Sequence, residues 1–505
     1  MHVGIDLGTS YSLIARVDEH GTPVLFPDRH ESQRFQTPSV VHIGPEGALV
    51  GQPVEERLED APDLPVCRFP KLSMGRNEAI FVDHLERAWH PEAISALILK
   101  KLVGDVATFT DEPIDGAVVS VPAYFSDPQR QATRHAAELA GLKVLELVEE
   151  PLAAAVHYGA RSVPPGTRIL VYDLGGGTFD ATVLHVDSGG LFPLATDGAL
   201  DLGGKSCDEA IMVRIADQFR QQMGYDPLND PVASVHLRRE AEAIKIKLAM
   251  PGKDRVRKGL ILGGRSQEIT MTRAQFEHAI RPMVDRTTEL CARALGSKGL
   301  DWSAIDRILL AGGSSLIPYV RNAVIQASGK PAERVESRQP HYAIAYGAAL
   351  IAAQHAGPAA AAGTDGPRLH RIAGFDLGCR VRDYATGKPS VKTVIARNSP
   401  IPDRQTIVLY TTRPDQSRIV LDIVQVKGQG EPPVSLGNFE FPIRRPRKNH
   451  PLEVTIGYDE YGMASVVARN PDTDQVVQRD FPGARNPMDR ILEQKSLLES
   501  VRLAD

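Results

Sequence analysis

Two short segments of this chain share one design, and together they limit what it can fold into. One is Asp6-Leu7-Gly8-Thr9-Ser10 and the other is Asp173-Leu174-Gly175-Gly176-Gly177-Thr178, with their aspartates 167 positions apart. Each follows a run of apolar residues that reads as a strand. Each puts an Asp at the strand end, then glycine, then hydroxyls. Glycines let backbone N–H groups close around phosphate oxygens with no Cβ in the way. The Ser and Thr hydroxyls add donors. Paired Asp carboxylates can hold a hydrated Mg²⁺, which keeps several waters and takes few carboxylates. One such turn alone would be an ordinary strand turn. A pair at this spacing predicts an internally duplicated α/β unit built around a phosphate site. A third glycine turn, Ala311-Gly312-Gly313-Ser314-Ser315, follows the apolar run Arg307–Ala311. Gly203-Gly204-Lys205-Ser206 is not a P-loop, because that pattern needs Gly at 199 and the residue there is Ala199.

The surrounding pattern agrees. Val3–Asp6, Val118–Val121, Arg168–Tyr172 and Arg307–Ala311 are near-continuous apolar runs, as in strands covered on both faces. Between them lie helical stretches. Ser126-Asp127-Pro128, the following run to Ala140 and Gly141 give a cap, a first-turn proline and an exit. Alternating strand and helix signals predict an α/β domain over residues 1–355. Gln354–Gly366 is small, Pro- and Gly-bearing and nearly uncharged, so 356–370 reads as a linker. Beyond it Thr406–Thr412, Arg418–Val426 and Leu452–Tyr458 are rich in β-branched residues, and Asp459–Gly462 reads as a hairpin turn. Residues 371–485 are therefore expected to form an all-β domain. Residues 486–505 read as one short amphipathic helix.

Composition narrows the function classes. The chain has 505 residues, which at roughly 150 per domain suggests about three domains. Its 58 basic and 63 acidic residues give a net charge of −5, which argues against a general nucleic-acid binder. Four scattered cysteines form no CxxC pair, which argues against a disulfide scaffold or zinc ribbon. The start, MHVGIDLGTS, carries no basic leader, and the longest apolar stretch, Ala343–Ala353, falls short of the roughly 20 residues of a bilayer span. The expectation is a reduced cytoplasmic protein that touches neither membrane nor nucleic acid.

With these segments in place the chain resembles the heat-shock protein 70 molecular chaperones, within the actin-like ATPase superfamily. The stretches that carry the likeness are GIDLGTSYSLIA (4–15), residues 118–159 from VVSVPAYF to VHYG, VYDLGGGTFDATVL (171–184) and AGGSSLIPYV (311–320). In the β region they are IARNSPIP (395–402), DQSRIVLDIVQ (415–425), SLGNFEF (435–441) and YDEYGMASVVARN (458–470). The resemblance implies an α/β actin-like ATPase domain with duplicated ribonuclease-H-like halves, followed by an all-β sandwich that binds peptide. It implies Mg²⁺ with ATP or ADP as cofactors, slow hydrolysis to ADP and phosphate, and a role in protein folding and stress response. It implies unfolded or extended polypeptides, a J-domain co-chaperone and a nucleotide-exchange factor as partners.

The resemblance also implies residue roles. Asp6 and Asp173 sit around the Mg²⁺ water shell. Thr9, Ser10, Gly175, Gly176, Gly177 and Thr178 cradle the phosphates, and Gly8, Tyr11, Gly203 and Gly204 also bind the cofactor. Lys71 orients attacking water and neutralises charge, and Glu150 helps position water and metal. Glu242, Lys245, Gly312, Gly313 and Ser314 meet the nucleoside. Pro122 and Arg130 couple the two domains. Cys379, Leu409 and Ile419 line a peptide groove, with Arg382 and Thr412 at the arch over it. The chain also departs from the family. Leu316 replaces an Arg beside the adenine, Ala249 a Ser in the nucleoside helix and His341 an Asp. These losses, of order 1 kcal/mol per hydrogen bond, predict a weaker or less base-selective grip. The acidic, leucine-rich interdomain linker is not seen, and the helical lid is missing. The leading reading is thus a lidless, ATP-driven chaperone. An alternative is a nucleotide-gated module whose β domain docks one folded partner. A small-molecule kinase would leave the β domain without a use.

Overall fold

The computed structural model describes residues 1–160, 163–355, 368–382, 388–427, 431–480 and 487–504. Two sheets organise the first 355 residues. In the first the strand order is Val144–Glu149, Gly116–Val121, His2–Asp6, Tyr11–Val17, Pro23–Leu25. In the second it is Val335–Glu336, Arg307–Ala311, Arg168–Leu174, Phe179–Asp187, Gly190–Ala199. Directions match as well: the first two pairings in each order are parallel and the next two antiparallel. The central strand of each sheet ends at one of the two aspartate turns. The hydrophobic runs explain this, since His2–Asp6 and Arg168–Leu174 are buried almost throughout.

Helices Glu150–His157 and Ala343–Gln354 pack between the sheets in one apolar cluster that takes in Val118, Val148, Ile169, Val171 and Leu309. Their close packing on each other and on the strand His2–Asp6 depends on small residues. A Cβ on Gly347 would overlap the Ala153 carbonyl, and one on Gly4 would lie 2.6 Å from Ala349 Cα. The outer faces of the sheets are covered by Pro91–Phe109 and Asp127–Leu139 on the first, and by Gly204–Met223 and Arg273–Gly296 on the second, with Pro231–Ala249 packed on Gly204–Met223 and on the strand Arg255–Leu262. The expected helix after Ser126 is present with a capping box between Ser126 and Gln129.

The β region is a sandwich of two four-stranded antiparallel sheets. The predicted turn at Asp459–Gly462 joins Pro451–Tyr458 to Ala464–Arg469, with Gly462 at φ 76°. Most of the expected linker, 356–367, lies outside the described residues. Arg368–Leu369, also given to the linker, instead pair in parallel with Gly190 and Leu191 and extend the second sheet.

The sandwich rests on both lobes. The Asp127 N–H donates to Gln425 Oε1 at 3.0 Å, and the Thr196 N–H donates to Asn398 Oδ1 at 3.2 Å. Arg371 pairs with Glu149 at 3.1 Å and with Glu146. The terminal helix, Pro487–Glu499, packs on the first lobe, where Leu498 is 2% exposed in the core beneath Pro91–Phe109. Just beyond, the Ala48 N–H donates to the Arg502 carbonyl at 2.8 Å and the Ala504 N–H to that of Ala48 at 2.9 Å. Among the described residues no helix is long and apolar enough to cross a membrane.

Candidate functional site

The two aspartate turns meet face to face. A Cβ on Gly176 would overlap Ser10 Oγ, and one on Gly177 would lie 2.6 Å from Thr9 Cγ2. Glycine is required here by the approach of one loop to the other. Between the turns opens a cavity of about 610 Å³. Of the residues expected there, Asp6, Gly8, Thr9, Ser10, Tyr11, Lys71, Glu150, Asp173, Gly175, Gly176, Thr178, Glu242, Lys245, Gly312, Gly313 and Ser314 line it.

Three expected residues do not line that cavity. Gly177 faces a second cavity of about 940 Å³, between the lobes and the sandwich. Gly203 and Gly204 stand behind the glycine loop. The Gly204 N–H donates to the Gly175 carbonyl at 3.0 Å, and the Lys205 N–H donates to that of Gly176 at 2.7 Å. The first turn of the helix Gly204–Met223 thus spends its free amides bracing the loop.

Lys71 sits in the short 3₁₀ turn Pro70–Ser73 and is 4% exposed. Its ammonium pairs with Glu150, the first residue of the helix Glu150–His157. Burial opposes its charge, but the carboxylates of Glu150 and Asp6 outweigh that and hold it above the usual lysine range. Asp6 accepts a hydrogen bond from Ser120 Oγ at 2.9 Å. Burial, then the Glu150 charge, pushes its carboxyl up to about 6, against the pull of Lys71 and Ser120. Asp173 lies well above the carboxylate range, first through burial and then through Glu150, Asp180 and Asp6.

Asp180 was missed by the sequence reading. It sits directly across the hairpin from Asp173, as its register partner. Cross-strand partners share a face, and the hairpin in VYDLGGGTFD was the signal that could have found it. Oxygens of Glu150, Asp173 and Asp180 lie within 4.8 Å of one another. Asp173 Oδ1 and Asp180 Oδ2 are buried and make no hydrogen bond. Four carboxylates stand near the Lys71 ammonium, with Lys427 acting on Asp180 as well, and two of their oxygens lack partners. That is the donor set a hard, oxygen-seeking cation requires. Asp6, expected beside Asp173 as a metal residue, lines the same cavity but lies outside the three-carboxylate cluster.

Away from the carboxylates the wall changes character. Tyr11 donates to Glu242 Oε1 at 3.3 Å, Lys245 pairs with Asp208 at 2.8 Å, and Ser314 Oγ donates to the Gly175 carbonyl at 2.8 Å. Beyond them Ile246, Ala249, Met250, Leu316, His341 and Ile344 line the cavity. Ile246, Met250 and Ile344 gave no sequence signal.

The three expected groove residues fall in one apolar cluster of the sandwich core. Cys379 is 0% exposed, Ile419 is 6% exposed, and Leu409 is half-buried against the same cluster. Burial pushes the Cys379 thiol up to about 11. Thr412 is exposed, and the side chain of Arg382 lies outside the described residues. Arg130 is buried and donates to the Phe125 and Ala123 carbonyls and to Glu149 Oε1, the carboxylate that also holds Arg371.

A two-sheet α/β unit and a β sandwich thus share one chain, with a carboxylate-lined cleft in the first. The family model described as Hsp70 protein matches residues 2–79 and 59–486, so the chain belongs to the Hsp70 family.

Proposed function

We propose that the chain is an ATP-driven chaperone with an actin-like ATPase domain of duplicated ribonuclease-H-like halves over 1–355. A linker over 356–370, a peptide-binding sandwich over 371–485 and a terminal helix over 486–505 complete it. The observation that carries this reading is the meeting of two matching aspartate turns, from two sheets of one topology, around the Lys71–Glu150 pair. Family membership supports ATP and Mg²⁺ as the ligands. Glu150, Asp173 and Asp180, with Asp6 alongside, would hold Mg²⁺, which when bound screens the phosphate charge. Thr9, Ser10 and Thr178, with the amides of their loops, hold and orient the phosphates. Lys71 is placed to neutralise charge at the terminal phosphate and to orient water, with Glu150 fixing its ammonium. Such a site works by positioning and electrostatics, with no covalent step.

Arg371 is buried between Glu146 and Glu149, and Arg130 shares Glu149. This shared carboxylate is our candidate for passing nucleotide state to the sandwich. Extended polypeptides, a J-domain co-chaperone and an exchange factor are the partners this reading takes from the family. Four free, buried cysteines support a reducing compartment such as the cytoplasm.

The test is direct. Purified protein with Mg-ATP should bind nucleotide and form ADP, and an unfolded peptide should stimulate turnover. Absence of both binding and hydrolysis overturns the reading. A second reading, a nucleotide-gated module for one folded partner, is favoured by Cys379 and Ile419 lying in the closed core rather than on an open groove. Silence on an array of extended apolar peptides, with one co-purifying folded partner, would select it.

A further inference from the structure

The cleft is polar at one end and apolar at the other, and the apolar end has a consequence for substrate choice. Two walls converge at Gly204, where a Cβ would lie 2.8 Å from Ser314 Oγ and 3.1 Å from Lys245 Nζ. One wall continues from Lys245 through Ile246 and Ala249. The other continues from Ser314 to Leu316. Ile246 and Leu316 are 45% and 46% exposed, large aliphatic side chains left uncovered at the rim of a cavity. Exposed apolar groups at a concave site mark a place that a flat apolar ligand can cover.

The polar groups at this end are already engaged. Glu242 accepts from Tyr11, Lys245 holds Asp208, and Ser314 donates to Gly175. His341 also lines the cavity, and burial keeps its ring below the usual range, so it is neutral at pH 7. A neutral imidazole carries a donor on one nitrogen and an acceptor on the other, and it can exchange them. Gln36, another lining residue, offers both kinds in one amide. A site rejects the wrong base strongly only when it leaves a fixed buried donor or acceptor unpaired. His341 Nδ1 is buried without a partner, but its tautomer, like the Gln36 amide, can present either a donor or an acceptor, so neither side chain commits the site to one kind.

We propose that Ile246 and Leu316 grip the faces of a purine without reading its edge, so that the cleft takes 6-oxo purine nucleoside triphosphates such as GTP and ITP as well as ATP. This rests on the cleft being the nucleotide site. Isothermal titration of the full chain with the Mg²⁺ complexes of ATP, GTP, ITP and tripolyphosphate tests it. The expected result is affinities for the three nucleotides within tenfold of one another, all tighter than for tripolyphosphate. Leu316→Asp, at an exposed position, should weaken all three nucleotides together by about tenfold and leave tripolyphosphate unchanged. A preference for ATP above tenfold in the parent chain overturns the proposal, as does unchanged nucleotide binding in both Leu316→Asp and Ile246→Asp. If tripolyphosphate and all three nucleotides fail to bind, the nucleotide reading itself falls. That outcome is distinct from tight, selective ATP binding.

Discussion

The two ends of the cleft are built by different means. At the carboxylate end, backbone turns set the geometry: Gly176 lies against Ser10, Gly177 against Thr9, and helix amides brace the loop from behind. At the far end, side chains from the helix Pro231–Ala249 and from the 313–318 segment form the wall. The comparison teaches that one end of the cleft is held by main chain and buried charge, which tolerate little change. On the proposed reading phosphate falls there, and base contact is left to aliphatic side chains, which tolerate much.

The largest effect should come from Lys71→Met. Removing the buried ammonium should slow hydrolysis by about 10²–10³-fold while Mg-ATP still binds, read by single-turnover ADP formation. Equal loss of binding and turnover would show that the polar end grips the ground state and does no more. Next is Gly176→Ala. The added methyl pushes the turns apart, and a displacement near 1 Å at such a site can cost on the order of 10²-fold in turnover. Activity like the parent's would deny that the turns clamp the phosphates.

Titration separates the ends further. Asp6, with its folded-state value near 6 and its unfolded value near 4, favours the fold fully below about pH 4, and that contribution is lost as pH rises through about 6. Asp173 and Asp180 shift in the same direction. The free protein should therefore lose thermal stability from pH 5 to pH 7, while Mg-ATP, which needs the ionised carboxylates, should bind more tightly over the same range. Melting curves at pH 5.0, 6.0 and 7.0, with and without Mg-ATP, would check the crossing trends. A free protein that is most stable at pH 7 would contradict the assignment. The smallest effect should be Ala249→Asp, which places an acceptor-only group on the apolar wall. It should change the ATP-to-GTP affinity ratio severalfold, since adenine meets an acceptor with its 6-amino group and guanine with its N1–H and 2-amino group, and an edge-reading group discriminates where a smooth wall does not. No change in that ratio would place the base elsewhere.

Much of the site was legible because its signals are local. Asp6, Gly8, Thr9, Asp173, Gly175 and Thr178 announce a strand end followed by a phosphate turn, and the fold positions all six in one cavity. Asp180 was less legible because its place depends on register: it joins Glu150 and Asp173 only when Phe179–Asp187 folds back on Arg168–Leu174. Gly203 and Gly204, expected at the cofactor through resemblance, do not line the cavity. The pair stands behind the glycine loop, where the Gly204 N–H is bonded to the Gly175 carbonyl and the Lys205 N–H to that of Gly176. Cys379 and Ile419 read as groove residues through resemblance, and the strand pairings Cys379–Ile423 and Ile419–Phe441 place them in the core.

By itself the sequence determined the strand-ending aspartates, the glycine turns, the change from α/β to all-β and the amphipathic tail. Each follows from periodicity or backbone freedom within a few residues. Only the tertiary structure decided that the two turns touch, that Asp180 joins the carboxylates and that Arg371 shares Glu149 with Arg130. It also decided that Leu498 seats the tail on the first lobe. Those outcomes depend on strand register and on contacts between segments that lie apart in the chain, the farthest more than two hundred residues. Burial and charge pairing select them across the whole fold, and no short window of sequence encodes which distant partner will be met.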